Sequence, residues 1–184
     1  YVGLFSTHPG RTVTVPTTVG AMTQFADQAK ATWSYQELLD LGNQLSSTLQ
    51  TGTTVQMPVI FLNGNYNGSS SVLGIHLTGT HFSFVFKDVV VSVGGGGISQ
   101  RYVEQTVVVH EIGHAVGLVN NGLPQTTPHE DATHPHHTTN NKGVMYWAVE
   151  SSTDVLSTIT DAITGNQLNL FGSQSLQDGR AYHP

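Results

Sequence analysis

Hydrophobic residues in this chain fall into short runs separated by Gly-, Asn- and Thr-rich stretches. One run is helical. Val103, Val107, Val108, Ile112, Ala115 and Val116 recur at the three- and four-residue spacing of a helix with buried faces. Ser99 suits an N-cap, and Ile98 before it is placed to pack on Val103. Gly117 is placed to stop the helix in a left-handed conformation. Upstream, Ser34 with Glu37 spells a capping box, followed by an apolar side of Tyr35, Leu38, Leu39, Leu41, Leu45 and Leu49. Residues 21–31 are compatible with a further helix.

The strands are shorter. Residues 11–15 alternate towards a strand that Pro16 closes. Residues 55–62 are β-branched and apolar, and Asn63-Gly64-Asn65 reads as a turn. Residues 72–77 and 82–86 predict two more strands, and the valine-rich residues 89–93 a third. Gly94 to Gly97 forms a connector into the main helix; without the Lys and Ser/Thr of a phosphate loop it is a hinge, not a cradle. Beyond Gly117 the pattern is irregular as far as Gly143. One last helix then follows, capped by Ser151 or Ser152, with Val155, Ile159, Ala162 and Ile163 on one face and Gly165 at its end.

Composition narrows the class. The 184 residues suffice for a single domain with a core, and no linker divides them. Only 10% are charged, the net charge is −6 and no basic patch points to nucleic acid. Cysteine is absent, which excludes disulfides, thiolate metal sites and a cysteine nucleophile. No run approaches the ~20 apolar residues of a membrane span, and no signal peptide is visible at Tyr1. A Gly-, Ser-, Thr- and Asn-rich chain of low charge suits a secreted or extracytoplasmic protein, here as a mature or trimmed chain, and a monomer is expected.

The chemistry sits on the main helix. His110-Glu111-Ile112-Gly113-His114 is H-E-x-x-H, so both imidazoles can face one metal ion while Glu111 stands beside it as a base. The plainer alternative, two surface histidines on an ordinary helix, fits poorly with so apolar a segment.

His110-Glu111-Ile112-Gly113-His114-Ala115-Val116-Gly117-Leu118, with Met145 downstream, resembles the metzincin clan of zinc endopeptidases, and within it the matrixins. The match covers about 20 residues in two blocks. It implies an α+β, α/β/α layered fold: a twisted mixed sheet, a zinc-binding active-site helix, a Met-turn and a C-terminal helix. Residues 1–117 would carry the sheet and active-site helix, and 118–184 the third ligand, Met-turn and last helix. The family's third histidine position is held here by Asn120, a weak neutral ligand. Matrixins place that histidine eight residues before the methionine, which here is His137, and residues 137–146 resemble their H-S-x-x-x-x-A-x-M-Y segment. The resemblance therefore implies zinc held by His110, His114 and His137, an insertion at 120–136, and Met145 as an apolar floor. Glu111 would take a proton from the attacking water and deliver it to the leaving amine. Tyr146 matches a structural tyrosine and carries no catalytic role. The substrate would be a peptide or protein, paired as an extended strand with an edge such as residues 72–77.

Six of the ten histidines lie between His110 and His137, which leaves several over. His129, Asp131 and His134 offer a second metal set, against which solvated loop histidines are slightly favoured. His76 and His81 stand where matrixins often carry a structural zinc, but the acidic pattern of that site is missing and plain strand or turn histidines are expected. Two rivals remain: a zinc-stabilised binding module without catalysis, and a zinc peptidase of another clan whose third ligand is a glutamate such as Glu130 or Glu150.

Overall fold

The computed structural model describes residues 12–46, 54–165 and 171–182. Among these the chain is mixed α+β. In order come β1 (Thr32–Trp33), α1 (Tyr35–Ser46), β2 (Val59–Leu62), β3 (Asn65–Tyr66), β4 (Gly74–His76), β5 (Ser83–Phe86), α2 (Lys87–Gly94) and α3 (Gly97–Ala115). There follow β6 (Glu130–Asp131), β7 (His134–Thr138), a 3-10 turn (Trp147–Glu150), α4 (Val155–Gly165) and α5 (Ser173–Ala181). No helix of the described residues is long and apolar enough to cross a membrane.

The largest sheet has the order β2-β5-β4. β2 runs parallel to β5, with Val59 opposite Ser83, and β4 runs antiparallel, with Gly74 opposite Val85, so the sheet is mixed and β4 is one of its two edges. Every residue of β5 is buried, as expected of a central strand. Phe84, Val85 and Phe86 join Leu38, Leu73, Leu77, Val103, Val107, Val155 and Ile159 in one core, so α1, α3 and α4 all bury faces against it. The Ser34–Glu37 capping box forms: Ser34 N–H donates to Glu37 Oε2 at 2.9 Å, and Glu37 N–H to Ser34 Oγ at 3.3 Å.

Several expectations are corrected. Residues 89–93 belong to helix α2, because Val89, Val90 and Val93 face the core at helical spacing while Val91 is exposed. Packing overrides the β preference of valine there. Residues 21–31 form no α-helix: they carry no buried stripe, and Asp27 Oδ1 accepts the Ala29 N–H at 2.9 Å in a local turn. Residues 12–15 form no strand, and 55–58 precede β2 without joining it. Helix α3 starts at Gly97 with Gly96 as its N-cap, so Ser99 lies inside it, and Ile98 is exposed rather than stapled to Val103. The stretch after Gly117 holds the β6–β7 hairpin, and the tail holds a second helix, α5. Arg11 and Leu49, and the side chains of Ala162 and Ile163, lie outside the described residues.

The edge strand rests directly on α3. A Cβ at Gly74 would sit 2.6 Å from both Glu111 Oε1 and Val107 Cγ1. Gly74→Val is therefore expected to destabilise the fold by about 1–3 kcal/mol through overpacking, although valine is the better strand former. Denaturant unfolding checks this; a variant as stable as the parent would contradict the contact.

Candidate metal centre

Three segments meet at the end of α3. The helix ends in a Schellman motif: Gly117 has φ +87°, its N–H donates to the His114 carbonyl at 2.9 Å, and Leu118 N–H donates to the Gly113 carbonyl at 3.0 Å. Leu118 and Val119 then pack with Val144 and Met145 in a second apolar cluster. Met145 is fully buried, and its sulfur lies where a Cβ on Gly113 would fall. The Thr138 N–H donates to the Met145 carbonyl at 2.9 Å, so the methionine segment runs back alongside β7 and His137.

The result is one cluster of His110, His114, His137 and Glu150, whose ligand atoms all lie within 4.8 Å of one another. Glu150 Oε1 stands 3.1 Å from His110 Nε2, 3.3 Å from His114 Nε2 and 3.2 Å from His137 Nε2. His110 Nε2 and His114 Nε2 are 3.0 Å apart. Four donors placed 2.0–2.1 Å from a tetrahedral zinc ion would be about 3.3 Å apart, so these separations suit a single small cation.

Ring orientation gives a second test of fit. The His110 Nδ1–H donates to the Val144 carbonyl at 2.6 Å, and the His137 Nδ1–H to the Pro135 carbonyl at 2.9 Å. A ring that donates through Nδ1 carries its lone pair on Nε2 when neutral. Lone pairs from His110 and His137 thus converge on a carboxylate oxygen, an arrangement that needs a cation or added protons. His137 Nε2 is buried and has no hydrogen-bond partner of its own. Such outer hydrogen bonds are how proteins orient metal-ligating histidines.

The electrostatics separate the two glutamates. Burial, reinforced by the charge of Glu150, holds Glu111 well above the usual carboxylate range. Both of its oxygens are buried without a hydrogen-bond partner. For Glu150, burial pushes upward, but the three imidazoles packed against its carboxylate pull it well below that range. Burial lowers His114 to about 4. His137 is raised: burial opposes, and the Glu150 carboxylate outweighs it.

The other candidates lie elsewhere. Asn120 has φ +59°, and its side chain donates to Glu130 Oε2 at 2.6 Å, so both residues shape the loop outside the cluster. Glu130 also accepts the His136 N–H at 2.7 Å. Among the described residues His129, Asp131 and His134 are not grouped as a second set of metal-ligating atoms. His129 is buried against Asp178 of α5, Nε2 to Oδ2 3.5 Å, whereas Asp131 pairs with His134 at 3.4 Å on the hairpin. His76 lies on β4 with Nδ1 3.2 Å from Ser83 Oγ, and His81 is exposed; neither is in the cluster. Glu150 entered the sequence reading only as a rival third ligand, and the structure brings it in together with His137. Its signal was its place a few residues past Met145. Asp178 gave none. No protein-family model, curated protein sequence or solved structure matches the chain.

Two outcomes are expected. His137→Ala should lose zinc on dialysis while Asn120→Ala keeps one equivalent; the reverse would place the third ligand at Asn120. Zinc affinity should also fall as pH drops from neutrality, beginning above the ordinary histidine range, since the metal-bound cluster carries fewer protons than the metal-free one and His137 holds its proton unusually well. Competition against a chromophoric chelator across pH measures this, and flat affinity well below pH 6 would contradict it.

Proposed function

We propose that this chain is a zinc-dependent endopeptidase of metzincin type, acting on peptides in an extracytoplasmic setting. The observation that carries the reading is the convergence of the His110, His114 and His137 Nε2 atoms, with Glu111, a buried carboxylate that feels the Glu150 charge, on the helix that carries His110 and His114. Zinc held there would supply a Lewis acid that lowers the pKa of a water and polarises a carbonyl.

The chain's own groups account for the rest. Glu111 is the base. Its raised affinity for protons suits it to accept one from water and pass it to a leaving amine, and a nearby cation would bring its pKa down towards the working range. Gly74 lets that carboxylate lie against β4 where any side chain would block it. β4 is the edge strand that packs on helix α3, and an extended peptide can add to such an edge through backbone bonds. The edge is shorter than residues 72–77, because Val72 already bridges Ser151 and the Leu73 N–H donates to the Glu150 carbonyl at 3.0 Å. Met145 supports the ligands from the apolar side without joining them.

A second reading has its own observation. Glu150 Oε1 occupies the fourth corner of the cluster, as in a closed structural zinc site, and this favours a zinc-stabilised module without catalysis. Activity separates the two. Zinc-loaded protein should cleave an unstructured protein substrate and stop on chelation. Glu111→Ala should keep its zinc yet lose activity by about 10²–10⁴-fold. Parent-like turnover in that variant would remove Glu111 from its role, and no cleavage by loaded parent or by a Glu150 variant would favour the structural site.

A further inference from the structure

Resting on the metal-site reading above, we infer that Glu150 is the metal's fourth protein ligand in the resting protein, a resident carboxylate that must swing out before water or substrate reaches the ion. A three-histidine peptidase site keeps one position open. Here that position is filled from within the chain: one oxygen of Glu150 stands at 3.1–3.3 Å from all three Nε2 atoms. Two of these rings already spend their Nδ1–H on backbone carbonyls, so in their neutral form they turn lone pairs, not donors, towards that oxygen. The approach to His137 Nε2 is close yet not aligned as a hydrogen bond. Coordination to a shared cation explains all three contacts at once.

Exposure shows why this ligand is the movable one. The histidine side chains are 0%, 7% and 12% exposed and Glu150 is 33%, so Glu150 is the most solvent-exposed member of the cluster. The Glu150 backbone is fixed, because its carbonyl accepts the Leu73 N–H and its neighbour Ser151 bridges Val72. Opening is therefore a side-chain rotation. A cavity of about 330 Å³, lined in part by Val72, His134, His137, Trp147 and Glu150, adjoins the carboxylate and gives it room to turn.

The test reads coordination as well as turnover. Parent, Glu150→Gln and Glu150→Ala chains are loaded with one equivalent of cobalt(II) and titrated with azide, a small anion that takes an open position on the ion. The parent spectrum should not respond, whereas Glu150→Ala should shift saturably and Glu150→Gln should respond in the same direction. Zinc affinity should fall at least about tenfold in Glu150→Ala. A cobalt-loaded parent whose spectrum shifts saturably with azide overturns the assignment, and this arm needs no substitution to fold. Unchanged zinc affinity in a folded Glu150→Ala also overturns it. Peptide cleavage is scored separately. If Glu150→Ala admits azide but no form cleaves peptide, the peptidase reading fails and the ligand assignment stands. If zinc-saturated Glu150→Ala cleaves severalfold faster than the parent, both hold.

Discussion

The buried hydrogen bond from His110 Nδ1 to the Val144 carbonyl, 2.6 Å long, is the constraint on which the site depends. It acts twice. It fixes which nitrogen of His110 faces inward, and it ties helix α3 to the segment that carries Met145 and Glu150. His137 is then brought in by the bond between Thr138 and Met145, and Glu150 by the bond between its carbonyl and Leu73. Four ligand atoms from distant parts of the chain thus meet because backbone bonds between segments place them, while the apolar cluster of Leu118, Val119, Val144 and Met145 fills the space behind. Without those bonds, the converging lone pairs would have no reason to stay together.

Two glutamates at one site are pushed in opposite directions. Glu111, enclosed between α3 and β4, tends to hold a proton; Glu150, facing three imidazoles, tends to stay ionised. Environments that drive two carboxyl groups apart in this way divide their work. One is suited to moving protons and the other to holding charge near a cation. The same geometry links the functional proposal to the resting arrangement, since the residue that completes the cluster also closes it.

The placing of His110 and His114 side by side was legible because four-residue spacing on a helix is a local property that needs no tertiary information. His137 was legible only through its distance from Met145. Glu150 was half-legible: its residue type suggested a ligand, but its placement depends on β4, far away in sequence. Elsewhere the hydrophobic pattern failed where burial is not hydrophobic. Helix α5 buries Ser175, Asp178 and Gly179, so it shows no apolar stripe. The β6–β7 hairpin is built from His, Pro, Glu and Asp and shows no alternation of apolar residues. Helix α2 misled in the opposite sense, since a run of valines resembles a strand until the core selects Val89, Val90 and Val93.

Diffraction from zinc-loaded crystals, collected on both sides of the zinc absorption edge, tests the central claim most directly. The account predicts one anomalous peak with His110, His114 and His137 Nε2 each about 2.0–2.1 Å away and a carboxylate oxygen of Glu150 completing the shell. A peak beside Asn120, a peak among His129, Asp131 and His134, or no ordered zinc at the end of α3 would contradict it.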